Sequence, residues 1–79
     1  MDMFEEVRKI LGKQLRFSDL SRITAESAIQ KDLGADSLDV LQLLMKIEDT
    51  YGIVIPDEEL AGLVTVKDVV VFLEKQQKK

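Results

Sequence analysis

Five apolar residues, Val40, Leu43, Leu44, Ile47 and Tyr51, recur at i, i+3, i+4, i+7 and i+11, the period of one face of an α-helix. In a chain of 79 residues without cysteine this stripe must find an equally apolar partner, because no disulfide can stand in for a core. Asp36 precedes the stripe as an N-cap and Asp39 stands at N3, the spacing of a capping box. Gly52 follows it as a C′ glycine. The pattern predicts a helix from about Ser37 to Thr50.

Two more long helices and one short one are expected around it. Asp2, with Glu5 as its capping-box partner, begins a first helix whose apolar face is Phe4, Val7, Ile10, Leu11 and Leu15. Arg8, Lys9 and Lys13 are left to water, and Gly12 weakens the helix without ending it. Thr65, with Asp68 at N3, caps a last helix carrying Val66, Val69, Val70 and Leu73. The run Val69-Val70-Val71-Phe72 has strand preference, but the chain offers no second convincing strand. Lys75, Lys78 and Lys79 suit the C-terminal end of that helix. A short helix over Asp57 to Ala61 has acids at its positive end and is limited by Gly62. Ile53-Val54-Ile55 reads as a buried apolar loop ending at Pro56. Arg16 to Lys31 reads as a long loop with a helical turn near Asp19 to Arg22, anchored by Ile23, Ala28, Ile29 and Leu33. The expected fold is all-α: one domain over residues 1–79, a small antiparallel four-helix bundle with a long loop between its first two helices.

The central helix carries more apolar surface than a small bundle needs to bury. Leu38, Leu41 and Met45 form a second stripe beside the first, and only Asp39, Gln42, Lys46 and Asp49 make a continuous polar one. The second stripe is either additional core or an exposed partner patch, to which the adaptable Met45 is suited. Charge is focused on the same region. Between Asp32 and Glu59 the chain has eight acids and one base, Lys46, so this segment carries −7 while the whole chain carries −4. Such a field attracts basic partners and repels nucleic acid, for which the chain also lacks an aromatic platform.

Catalysis by the chain itself is poorly provided for. There is no histidine to serve as general base, and no Gly-x-Ser-x-Gly elbow surrounds Ser37. Asp36 and Asp39 lack the loop glycine and distal glutamate of a calcium loop, so no structural metal site is expected. No stretch reaches the apolar length of a membrane span and the N-terminus does not read as a signal peptide, so the expectation is a soluble cytoplasmic monomer without stable membrane insertion.

What remains is Ser37 itself, at the mouth of the central helix, where backbone N–H groups and the dipole favour a phosphate ester. It lies in the run Asp32-Leu33-Gly34-Ala35-Asp36-Ser37-Leu38-Asp39. That run resembles the attachment site of the acyl carrier protein family, and the resemblance extends from Phe4 to Leu73, including Ile55-Pro56-Asp57-Glu58-Glu59 and Thr65-Val66. The resemblance implies a carrier, not an enzyme. A phosphopantetheinyl transferase would move a 4′-phosphopantetheine arm from coenzyme A to Ser37, with Asp36 and Leu38 presenting the serine. The arm's thiol would then hold acyl intermediates as thioesters for fatty-acid or related biosynthesis. Acyl synthases and transferases with basic docking surfaces would meet Asp39, Leu41, Gln42, Met45, Lys46, Glu48 and Asp49. Candidates to line an acyl-chain pocket are Val40, Leu43, Ile47, Ile55, Leu63 and Val69. Family members of fatty-acid synthesis commonly have a glutamate at the position of Gln42 and a small apolar residue at that of Lys46, and the region of Ala61 and Gly62 is often more polar. These departures point away from the main fatty-acid carrier and toward a specialised carrier serving a polyketide-like or other dedicated pathway. The alternative from another class is a small helical interaction module that binds a partner through the same patch without modification.

Overall fold

The computed structural model describes residues 2–77 and contains four α-helices: α1 (Met3–Leu15), α2 (Ser37–Tyr51), α3 (Asp57–Leu60) and α4 (Val66–Gln77). Among the described residues there is no β-strand, only an isolated bridge between Ala28 and Thr65. Lys78 and Lys79, expected at the end of α4, lie outside the described residues. α1 packs against both α2 and α4. The apolar faces read from the sequence meet at the centre, where Val7, Leu11, Leu43, Ile47, Val66, Val69 and Leu73 are at most 1% exposed.

α1 is capped at both ends. Asp2 accepts from the Phe4 N–H to start α1. Glu5, however, does not close a capping box: it pairs with Arg8 one turn on, and the charge-assisted bond outcompetes a return to the cap. Arg8 is correspondingly not left to water, since it also lies over the Phe4 ring at 5.2 Å. Arg16 ends α1 in the left-handed conformation, at φ 60°. Gly12 sits inside α1 because a Cβ there would collide with the Leu20 side chain, so the glycine lets the following loop pack close.

The long connection from α1 to α2 is tied down by backbone bonds. After a 3-10 turn at Leu20–Arg22, capped by Asp19, its segment 25–29 pairs with the entry to α4. Ile29 N–H donates to Val64 O at 2.9 Å, Val66 N–H to Ser27 O at 3.0 Å and Lys67 N–H to Ala25 O at 2.8 Å. Ile23, Ile29 and Leu33 are buried as expected, and Ala28 is half-buried on the bridge to Thr65. At the start of α4, Thr65 Oγ1 accepts from the Asp68 N–H while Asp68 accepts from the N–H groups of Thr65 and Val64. Those bonds, the one from Thr65 foremost, hold the Asp68 carboxyl below its usual pKa.

Two contacts fix the far end of α2. The Tyr51 hydroxyl donates to Glu6 at 2.7 Å, linking α2 to α1, and Glu48 accepts from the Ile55 N–H at 2.7 Å. The loop 53–56 is less buried than its composition suggests. Ile55 is buried, Ile53 is half-buried, and Val54 is 79% exposed.

Glu48→Gln keeps an acceptor but loses the charge assistance, whereas Glu48→Ala leaves the Ile55 N–H unpartnered. The alanine variant is expected to lose about 1–3 kcal/mol in urea unfolding and the glutamine variant less. Burial, and then the bond to Glu6, push the Tyr51 hydroxyl up to about 12. Its neutral form therefore stabilises the native state fully below about pH 10, the unfolded value, and this contribution is lost as pH rises toward 12. The stability difference between the protein and Tyr51→Phe should accordingly shrink or reverse between pH 9 and 12. A difference constant with pH would show that Tyr51 titrates alike in both states.

Candidate functional site

The reciprocal capping box predicted for α2 is present. Asp36 accepts from the Asp39 N–H at 2.9 Å, and Asp39 accepts from the Asp36 N–H at 3.2 Å. The chain reaches this cap through Gly34, at φ 74°, a conformation glycine adopts without steric cost. Buried Leu33 and Ala35 flank Gly34 and anchor the approach. The two carboxylates thus do the capping that a serine often performs. Ser37 follows as the first helical residue, exposed, and among the described residues its hydroxyl has no hydrogen-bond partner. The N–H groups of Ser37 and Leu38 are likewise unclaimed, since the first helical bond runs from the Val40 N–H to Asp36 O at 3.0 Å. The arrangement offers an accessible hydroxyl beside two free donors at the positive end of a 15-residue helix.

The second apolar stripe is on the surface. Leu38, Leu41 and Met45 are 60%, 49% and 56% exposed, an apolar strip running along α2 from Ser37. Gln42, Lys46 and Asp49 are exposed on the adjoining face. Glu48 falls outside this surface, for it is half-buried and holds the Ile55 N–H. Asp39 is half-buried and committed to the cap. Gln42 has a neighbour that its own helix could not disclose: its side-chain oxygen accepts from Gln14 Nε2 of α1 at 3.4 Å.

Beside α2 lies a cleft of about 220 Å³ lined by Ile29, Gln30, Val40, Leu60, Ala61, Leu63 and Val64. Val40 stands three residues along α2 from Ser37, so the cleft opens on the serine's side of the bundle. Of the six residues expected to line an acyl pocket, Val40 and Leu63 face this cleft. Leu43, Ile47, Ile55 and Val69 are packed in the closed core. Leu60, Ala61 and Ile29 also line the cleft and were not among the expected pocket residues, Ile29 having been read only as a loop anchor. The signal was there for α3, since Leu60 is the only large apolar residue in a helix of four.

The chain is similar to known proteins over most of its length. Residues 5–73 match the family model described as "Phosphopantetheine attachment site". The acyl carrier protein of Campylobacter hominis is 45% identical over 78 residues, covering 99% of this chain and 98% of that protein. The acyl carrier protein of Helicobacter pylori strain G27 is 43% identical over 74 residues, 94% of each chain. A solved structure from Mycobacterium tuberculosis, named as an acyl carrier protein, superposes with a TM-score of 0.86 at 31% identity, covering 94% of this chain and 97% of that one. An all-helical bundle, a match to the phosphopantetheine model over most of its length and relatives of nearly equal extent make this chain a member of the acyl carrier protein family, a carrier that bears phosphopantetheine and does not itself catalyse.

Proposed function

We propose that Ser37 is the residue that carries the 4′-phosphopantetheine. The observation that carries this reading is the division of labour at the α2 N-terminus: Asp36 and Asp39 take the capping bonds and leave an exposed hydroxyl with no partner among the described residues. The residues fit the group. The unclaimed N–H groups of Ser37 and Leu38 can donate to phosphate oxygens, and the helix dipole favours the negative charge. When bound, the group supplies a terminal thiol that holds an acyl chain as a thioester. Val40 and Leu63, with Leu60 and Ala61, form apolar walls that can shelter such a chain from water.

Asp36 and Leu38 present the serine to a phosphopantetheinyl transferase, Asp36 by fixing the helix start and Leu38 by its exposed side chain. Leu41, Met45 and Asp49 offer the footing for acyl synthases and transferases, with basic groups on those partners meeting the acidic segment. The setting is cytoplasmic and the working form a monomer of one domain. No helix among the described residues is long and apolar enough to cross a membrane. The pathway is a dedicated branch of fatty-acid or polyketide-like synthesis, a reading supported by Gln42 and Lys46 on the exposed face of α2.

Ser37→Ala should keep the fold, because the Asp36–Asp39 cap does not involve the hydroxyl, and should gain no mass when incubated with a transferase and coenzyme A. Uptake of the arm by the alanine variant would sink the assignment. An octanoyl-loaded form should melt higher than the form with a bare thiol, since a chain bound only by the native state stabilises it. The upper limit is about 0.8 kcal/mol per buried methylene, less the cost of widening the cleft. Equal midpoints would mean that the cargo stays in water.

A further inference from the structure

One groove among the described residues of this acidic chain is cationic. Lys9, Ile10, Lys13 and Gln14 of α1 and Lys46 of α2 line a depression of about 200 Å³. Lys9 and Lys13 are one turn apart on α1, and Lys46 is one turn along α2 from Gln42, which is bonded across to Gln14. No carboxylate lines the groove. Among the described residues Arg8–Glu5 is the only ion pair, so all three ammonium groups lack an intramolecular counter-charge at contact distance. Lys46 is also the only base between Asp32 and Glu59. Ile10 is half-buried and gives the groove an apolar floor, and exposed Met45 adjoins Lys46 along α2.

We propose that this groove is the docking site for an acidic protein partner, one that presents carboxylates around a protruding apolar side chain seated over Ile10. The proposal deepens the carrier reading by giving the chemistry of one class of partner. Three like charges converging on a groove produce a local field opposite to that of the chain, and a complementary surface is recognised by its sign and its register. A protein surface fits better than an anionic lipid surface. Asp49 stands three residues from Lys46 on α2, and an extended sheet of negative charge would meet it within a Debye length of about 10 Å. A protein can be acidic over the groove alone. The same groove explains selectivity: a basic enzyme that suits an acidic α2 surface meets repulsion at Lys46, while an acidic one meets attraction.

The test uses the full chain in its arm-bearing form, ¹⁵N-labelled, with its mass measured first so that failure of the carrier reading is seen separately. The probe is a 20-residue helical peptide with glutamates around one central leucine on one face. Controls are the same peptide with lysines for the glutamates, and phosphatidylglycerol vesicles. Amide shifts on adding the acidic peptide should concentrate on residues 9–14 and 42–46 and fade as salt is raised. The Lys9→Gln, Lys13→Gln, Lys46→Gln variant should bind about tenfold more weakly, the combined effect of three exposed charge contacts. The single Lys46→Glu variant, less demanding of the fold, should also weaken binding. The proposal is overturned by absence of binding, by shifts confined to Leu38–Met45 or to α3, by equal binding of the lysine peptide, by unchanged affinity of the variants, or by vesicles that bind where the peptide does not.

Discussion

The two bonds between Asp36 and Asp39 set the geometry on which the rest of α2 depends. They fix the residue at which the helix begins, and hence the rotation at which every later side chain leaves it. One residue of slippage turns a helix by about 100°. That would carry Leu43 and Ile47 out of the core and drive Leu41 and Met45 into it. The same bonds remove the need for a hydroxyl cap, so Ser37 is free of structural duty. A serine with no role in folding is available for modification at no cost to stability, and Gly34 and buried Ala35 deliver it to the surface.

The elements with strong local signals were legible in the sequence. Both ends of α2, the cap of α4 and the 3-10 turn at Leu20–Arg22 are where the spacing puts them. The exposure of Leu38, Leu41 and Met45 was not decidable from periodicity, because a second apolar stripe packs equally well inside a bundle or against a partner. What the sequence could not disclose are contacts made across elements. Glu48 looks like one more surface acid, yet it holds the Ile55 N–H seven residues away. Glu5 was expected to return to the helix start, but Arg8 competes for it. The pairing of Gln14 with Gln42 spans 28 residues and has no local signature. The pocket candidates divide for a similar reason. Val40 and Leu63 face the cleft and Val69 does not, which depends on where α3 sits rather than on any one residue's apolarity.

Charge divides the molecule into two kinds of surface. The acidic stretch from Asp32 to Glu59 contains the serine, whereas α1 contributes Lys9 and Lys13 to the groove shared with Lys46. A carrier has to meet several enzymes in turn and release each of them. Surfaces of opposite sign on adjacent faces allow different partners to be steered to different faces while each contact stays weak enough to dissociate.

α3 has four residues, none of them buried, and Pro56 provides no side-chain cap. A helix this short has almost no stability of its own. It is held by the Glu48–Ile55 bond before it, by Leu60 packed against the core, and by buried Leu63 after it. One wall of the cleft is thus a strap fastened at both ends, whereas the opposite wall, Val40, belongs to a helix of 15 residues. An apolar chain entering the cleft would work against the strap, and the resistance it met would be a few local contacts rather than the cooperative stability of the whole bundle. On the proposed role of the cleft, the length of chain sheltered is then a mechanical property of the 53–63 segment. It can vary between relatives through substitutions that leave the serine and its helix untouched.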